Sequence, residues 1–225
     1  MEYSMLYSED DSPSRPSARL IELSIQAITY AQRHTCVDDI AKRLAGRFPY
    51  SDDTLSLWPG EHYKLLAALV QVLKPALVVE IGTAEGLSAL SMLKYLPIDG
   101  RVITFDIVPW ERYPRSSLKL EDFQDGRLTQ IVANLAESDT FSQYSELLSR
   151  ADLVFIDAAK DGVLEHRLLA NFKTLRFESN PLFVFDDIRL WNMLSFWRTL
   201  TWPKLDLTSF GHWCGTGICE PAADF

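Results

Sequence analysis

The 225-residue sequence predicts an α/β fold: a mostly parallel seven-stranded sheet with helices on both faces, an antiparallel C-terminal edge and a helical N-terminal extension. Three observations carry this expectation. Five short apolar runs alternate with helix-patterned segments between residues 76 and 185. The runs are short and apolar, as strands covered on both faces are. Beyond the last helical segment, two further runs at 204–207 and 213–218 are joined by 208–212, which predicts a hairpin rather than another crossover.

Taken in order, Leu20, Ile21, Leu23, Ile25, Ile28 and Ala31 recur at helical spacing, and 38–45 reads as a second short helix ended by Gly46. Pro59 opens a third helix over 60–73, with Leu65, Leu66, Leu69, Val70 and Leu73 on one face, and Pro75 stops it. The strands follow at 76–81, 101–105, 128–132, 153–156 and 182–185. Helices are expected at 87–96, 137–149, 162–175 and 188–200. Residues 1–58 therefore read as a tail with accessory helices and 59–225 as the main domain, with 35–59 the one segment resembling a boundary. There is no internal repeat and no low-complexity tract.

Composition narrows the function classes. Thirty-one acidic against 22 basic residues give a formal charge of −9, and no Lys/Arg run is present, which argues against a nucleic-acid partner. The stretch 65–73 is interrupted by Gln71 and is far shorter than the roughly 20 residues a membrane-spanning helix requires. The N-terminal stretch is polar and acidic, unlike a signal peptide, so a cytoplasmic location is expected. Cys36, Cys214 and Cys219 form an odd set without C-x-x-C spacing. Cys214 and Cys219 with His212 make a poor zinc site and read as strand residues.

In an open parallel sheet, ligands bind at the carboxyl ends of the strands. The segments expected there are Glu80-Ile-Gly-Thr-Ala-Glu-Gly-Leu-Ser88, Asp106, Ala133-Asn-Leu135, Asp157-Ala-Ala-Lys160 and Asp186-Asp187. An aspartate at a strand end is often only a turn former or helix cap, but acidic residues at four of five edges ask for more. The glycine loop is not a dinucleotide fingerprint, because Ala84 and Leu87 stand where that pattern needs glycine, and it lacks the Gly-Lys-Ser/Thr of a P-loop. Its own pattern is Glu80-x-Gly82-x-x-x-Gly86: Gly82 allows a close turn beneath a ligand, Gly86 opens the next helix, and Ser88 offers a hydroxyl. Asp106, 24 residues after Gly82, is placed to accept both hydroxyls of a ribose. The combination fits an adenosine compound without a pyrophosphate.

The segments Val79-Glu-Ile-Gly-Thr-Ala-Glu-Gly-Leu-Ser-Ala-Leu90, Thr104-Phe-Asp106, Phe155-Ile-Asp-Ala-Ala-Lys-Asp161 and Val184-Phe-Asp-Asp-Ile-Arg-Leu-Trp191 resemble the class I S-adenosylmethionine (SAM)-dependent methyltransferases. Within that class the chain looks most like the O-methyltransferases of the catechol and caffeoyl-CoA type, over roughly 59–191. The resemblance implies a Rossmann-like fold. It implies that Glu80, Gly82, Thr83 and Ser88 hold the methionine end of SAM, Asp106 the ribose and Asn134 and Leu135 the adenine, with Gly86 and Asp157 also at the cofactor. It further implies that Asp157, Asp186 and Asp187 bind a divalent cation such as Mg²⁺ and that Lys160 is the general base.

Two features depart from the family pattern. Asp187 stands where the metal-dependent enzymes usually carry Asn, and Arg189 follows it, so Lys160 and Arg189 could neutralise the three aspartates without a metal. Lys160 acts as a base only if a cation offsets the carboxylates around it, and His212 is one further candidate base. Gly215 and Gly217 fit a close backbone approach better than a phosphate site. Trp110 and Trp191 lie on loops where they could stack on an aromatic acceptor. The expected function is SAM-dependent methylation of a small-molecule hydroxyl, with an aromatic acceptor and a homodimer as further expectations. The alternatives are N-methylation on the same fold, a nicotinamide-dependent oxidoreductase, and a binding module without catalysis.

Overall fold

The computed structural model describes residues 11–33 and 62–222. The helix expected at 38–45, the boundary at 58 and 59, Cys36 and Trp58 fall outside the described residues.

Seven strands form one sheet: β1 (Leu77–Ile81), β2 (Arg101–Asp106), β3 (Leu128–Val132), β4 (Leu153–Ile156), β5 (Leu182–Asp186), β6 (Lys204–Asp206) and β7 (Thr216–Cys219). Their spatial order is β3-β2-β1-β4-β5-β7-β6. β1 to β5 are mutually parallel, and β7 lies antiparallel between β5 and β6. The hairpin is therefore folded so that its second strand is the inner one. Strand order reverses between β1 and β4, so the chain leaves these two neighbours in opposite directions and opens a crevice above their carboxyl ends.

The helices cover both faces because successive strand residues point to opposite sides. Val78, Val102, Leu153, Phe155, Val184 and Ile218 pack on one face with α1 (Ala18–Arg33), α2 (His62–Leu73) and α3 (Leu87–Tyr95). Val79, Ile103, Phe105, Val154, Phe183 and Phe185 pack on the other with α4 (Ser138–Gln143), α5 (Ser145–Ser149), α6 (Val163–Phe172) and α7 (Met193–Thr199). The N-terminal helix α1 is part of this core: Leu20 and Ala27 are fully buried in it, and Arg19 pairs with Glu220 just past β7.

Three expected boundaries shift, each for a reason visible in the packing. The helix expected at 137–149 is split at Tyr144, whose ring packs edge-on against Phe105 at 5.3 Å. The helix expected from 188 starts only at Met193. Ile188 N–H donates to the Gly215 carbonyl at 3.2 Å and Arg189 N–H to the Cys214 carbonyl at 2.8 Å, which holds that segment against the turn before β7. Consequently the strand expected at 213–218 begins at Thr216, with Cys219 in the strand and Cys214 in the turn. The glycines there permit close approach, as expected: a Cβ on Gly217 would lie 2.6 Å from the Trp197 ring and one on Gly215 2.9 Å from the Arg189 nitrogen.

Phe183, fully buried in β5, meets Phe172 and Trp202 with ring centroids 5.0 Å away in each case. Phe183→Ala should cost about 3–5 kcal/mol through lost transfer energy and the cavity left behind. Urea denaturation should register this as a lower midpoint with an unchanged slope.

Candidate functional site

The crevice above β1 and β4 is a cavity of about 270 Å³ lined by Gly82, Phe105, Asp106, Tyr113, Asn134, Leu135, Asp157, Leu164 and Leu168, among others. Five residues selected from the sequence, Gly82, Asp106, Asn134, Leu135 and Asp157, thus meet in one place. Gly82 adopts φ +106°, and a Cβ there would stand 1.9 Å from the Asp157 carbonyl oxygen, so only glycine lets the two loops close on each other. Gly86, at φ +81°, precedes the first turn of α3 and faces Leu118 in the same way.

Asp106 ends β2 with its carboxylate already oriented. Its oxygens accept the Ala84 N–H at 3.0 Å and the Val108 N–H at 2.9 Å, and the Tyr113 hydroxyl lies 3.3 Å from both. Tyr113 was not evident from sequence, because it sits in the irregular connection after β2 where Trp110 drew attention instead. Trp110 stacks on Phe123 at 5.5 Å, outside the lining of this cavity. Trp191 is 78% exposed and is likewise absent from that lining.

Glu80, Thr83 and Ser88 lie beneath the cavity floor rather than on its wall. Glu80 is fully buried, accepts the Ser88 hydroxyl at 2.5 Å through Oε1, and leaves Oε2 without a partner. Burial pushes its carboxyl up to about 8, against the pull of the Ser88 hydrogen bond. Thr83 shares a 2.7 Å hydrogen bond with Thr104. An orphaned, buried carboxylate oxygen next to a glycine cradle can receive a cationic group.

At the far end, Asp157, Asp186 and Asp187 can each offer an oxygen to a common point, and the Lys160 ammonium sits among them. It lies 2.8 Å from Asp157 and 3.8 Å from Asp186, and pairs closely with Asp187. Burial alone would lower the lysine, but the charges of Asp157 and Asp186 hold its pKa well above the ordinary range, so it stands as the cation. Of the two cations expected to neutralise the aspartates, Lys160 does so, whereas Arg189 pairs with Asp206 at 2.7 Å. Burial, with the Asp186 charge, raises Asp157. Burial works against Asp186 too, but His62, His212 and Lys160 outweigh it and hold the carboxyl low. His212 Nε2 is 2.6 Å from Asp186 Oδ1, and His62, which sequence reasoning passed over at the start of a helix, stands 3.6 Å from the same oxygen. Ala84, Lys160, Asp187 and Trp191 all adopt positive φ, which concentrates left-handed backbone in the loops of this edge.

The three-carboxylate donor set fits a hard divalent cation in chemistry, provided the ammonium leaves it. The buried Glu80 oxygen and the Gly82 cradle fit the amino-acid end of SAM.

A family model described as O-methyltransferase matches residues 29–192. The chain belongs to this O-methyltransferase family. Membership carries the chemistry expected from the sequence, SAM-dependent methyl transfer, and the fold is the Rossmann-like methyltransferase fold. Among solved structures, the SAH-bound methyltransferase PaMTH1 of Podospora anserina is similar at TM-score 0.57 and 16% identity, covering 99% of this chain and 100% of that one. An O-methyltransferase from Bacillus cereus in complex with SAH is similar at TM-score 0.54 and 19% identity, over 84% of this chain and 91% of that one. TomG of Streptomyces achromogenes, an O-methyltransferase involved in tomaymycin synthesis and solved with SAM, is similar at TM-score 0.52 and 17% identity, with the same coverages. No curated protein matches the chain. Among the described residues no helix is long and apolar enough to cross a membrane.

Because folding raises the Glu80 pKa from its ordinary value of 4.5 to about 8, the contribution of this one group to stability is fully present below about pH 4.5 and is lost as the pH rises toward about 8. Glu80→Gln removes that loss while keeping an acceptor for Ser88. The variant should match the parent near pH 4.5 and exceed it by a few kcal/mol near pH 8.5, at about 1.4 kcal/mol per pKa unit, as read from urea midpoints at the two pH values.

Proposed function

We propose that this protein transfers the methyl group of SAM to a hydroxyl of a small-molecule acceptor. The observation that carries the reading is the cavity at the β1–β4 reversal, where Gly82, Asp106, Asn134, Leu135 and Asp157 converge above the orphaned oxygen of Glu80. Glu80 receives the amino group of the donor, with Ser88 and Thr83 fixing the floor under it. Asp106 accepts the ribose hydroxyls with Tyr113 beside it, and Asn134, Leu135, Leu164 and Leu168 enclose the base.

A bound sulfonium supplies an already activated methyl, so the protein's part is alignment and removal of the acceptor's proton. Asp157 lines the cavity and has a raised pKa, which suits it to accept that proton while Lys160 and the other two aspartates hold the acceptor end in place. A divalent cation such as Mg²⁺ would be held by Asp157, Asp186 and Asp187, and would lower the pKa of a coordinated hydroxyl. It would free Lys160 from the carboxylates, and only then is Lys160 the base. His212 is a further proton acceptor at the same edge. A cytoplasmic location, a homodimer and an aromatic acceptor complete the reading.

Calorimetric titration with S-adenosylhomocysteine should show binding at one site, with NADH as a non-binding control. No binding of the sulfur ligand overturns the reading. Asp106→Asn should weaken binding about 10–100-fold, the worth of charge-assisted hydrogen bonds of about 1.5–3 kcal/mol. Titrations repeated near pH 7 in buffers of different ionisation enthalpy should show a proton released on binding, as the ligand's ammonium drives Glu80 to ionise.

A further inference from the structure

Asp186 divides the acidic cluster into two chemically different sides. Its Oδ2 faces the Lys160 ammonium at 3.8 Å. Its Oδ1 faces two imidazoles, His212 Nε2 at 2.6 Å and His62 Nδ1 at 3.6 Å. The two imidazole rings meet edge to face at 4.9 Å, and the His62 ring is also packed against Tyr63 at 5.0 Å. His62 is 4% exposed, and its Nδ1 has no hydrogen-bond partner although it is aimed at this point. An unpartnered buried nitrogen costs about 1–3 kcal/mol, more than a residue kept only for packing should carry.

We propose that His62, His212 and Asp186 form a binding site for a divalent transition-metal ion, with Zn²⁺ as the type case, on the imidazole side of Asp186. One donor atom from each lies within 4.8 Å of the others. Metal bonds of about 2.0–2.2 Å bring such donors to roughly 3–3.5 Å from one another, so small side-chain shifts suffice. Asp187 Oδ1, 3.7 Å from His212 Nε2, is available as a fourth ligand. Two neutral imidazoles with carboxylate select zinc, cobalt or iron over magnesium and calcium, which prefer all-oxygen sets. Burial favours the neutral, metal-ready form of His62. The site shares Asp186 with the hard-cation position of the proposed methyl transfer but needs neither that ion nor displacement of Lys160, and it does not rest on that reading.

The metal-stripped full chain, titrated with Co²⁺, should develop visible d–d absorption that saturates at one equivalent. Stoichiometric Zn²⁺ should remove the absorption and millimolar Mg²⁺ should not. His62→Gln and His212→Asn should each weaken Co²⁺ binding at least about 100-fold, beyond the 10–100-fold typical of losing an outer-shell partner, whereas Asp157→Asn should leave it unchanged. In the unsubstituted protein labelled with ¹⁵N-histidine, Zn²⁺ should shift two of the four histidines, one through Nδ1 and one through Nε2. That readout decides the matter even if a histidine variant does not fold. Absence of the band, its survival in both histidine variants, a thiolate charge-transfer band placing the ion on cysteine, or no ¹⁵N shift overturns the proposal. S-adenosylhomocysteine binding, measured on the same samples, reports the methyltransferase reading separately.

Discussion

Where β1 lies beside β4, the chain leaves one strand toward β2 and the other toward β5, and no connection covers the gap between their carboxyl ends. The space is held open by topology and narrowed where the Gly82 backbone closes on the Asp157 carbonyl. Three of the candidate site residues are placed relative to that contact. Glu80 lies two residues before Gly82, Asp106 ends the neighbouring strand, and Asp157 itself begins the acidic cluster. A side chain at Gly82 would part the loops and separate the donor end of the cavity from the acceptor end.

The site is also an exercise in charge compensation. Asp157, Asp186 and Asp187 bring three carboxylates to one point in a largely buried setting, which is tolerable only with cations in contact. The compensation comes from two directions, the Lys160 ammonium from the loop after β4 and the His212 imidazole from the turn before β7, with the His62 ring beside it. The donor end works the other way. Glu80 is buried without a cation, and its ionisation is deferred until one arrives. One end of the site therefore holds its cation already, and the other holds a buried carboxyl with none.

Much of this was legible in the sequence because strands and their terminal residues are local signals. The apolar runs, the glycine spacing and the acidic strand ends located all five parallel strands and five residues of the cavity lining. The late start of α7 and the inner position of β7 were not legible, since they depend on hydrogen bonds between Ile188 and Arg189 and a turn more than 20 residues away. Tyr113 and His62 escaped for the same kind of reason. Nothing in their neighbours marks them, and only the folded sheet brings one to Asp106 and the other to Asp186. Lys160 was located correctly in sequence, but its protonation depends on Asp187 and Asp186, which arrive from another strand.

The placement of β7 has a consequence for the order in which the molecule is made. β6 touches the rest of the sheet only through β7, so the β5 edge stays unpaired while residues 187–215 are already synthesised. During that interval the main-chain donors and acceptors of β5 are open to other chains, and Asp186 lacks His212. The nascent protein thus passes through a stage with a nearly complete cavity above β1 and β4 and an unfinished acidic cluster. Closing the edge and delivering the His212 imidazole are one event, so a chain that has not hidden its adhesive strand has not completed its charge cluster either.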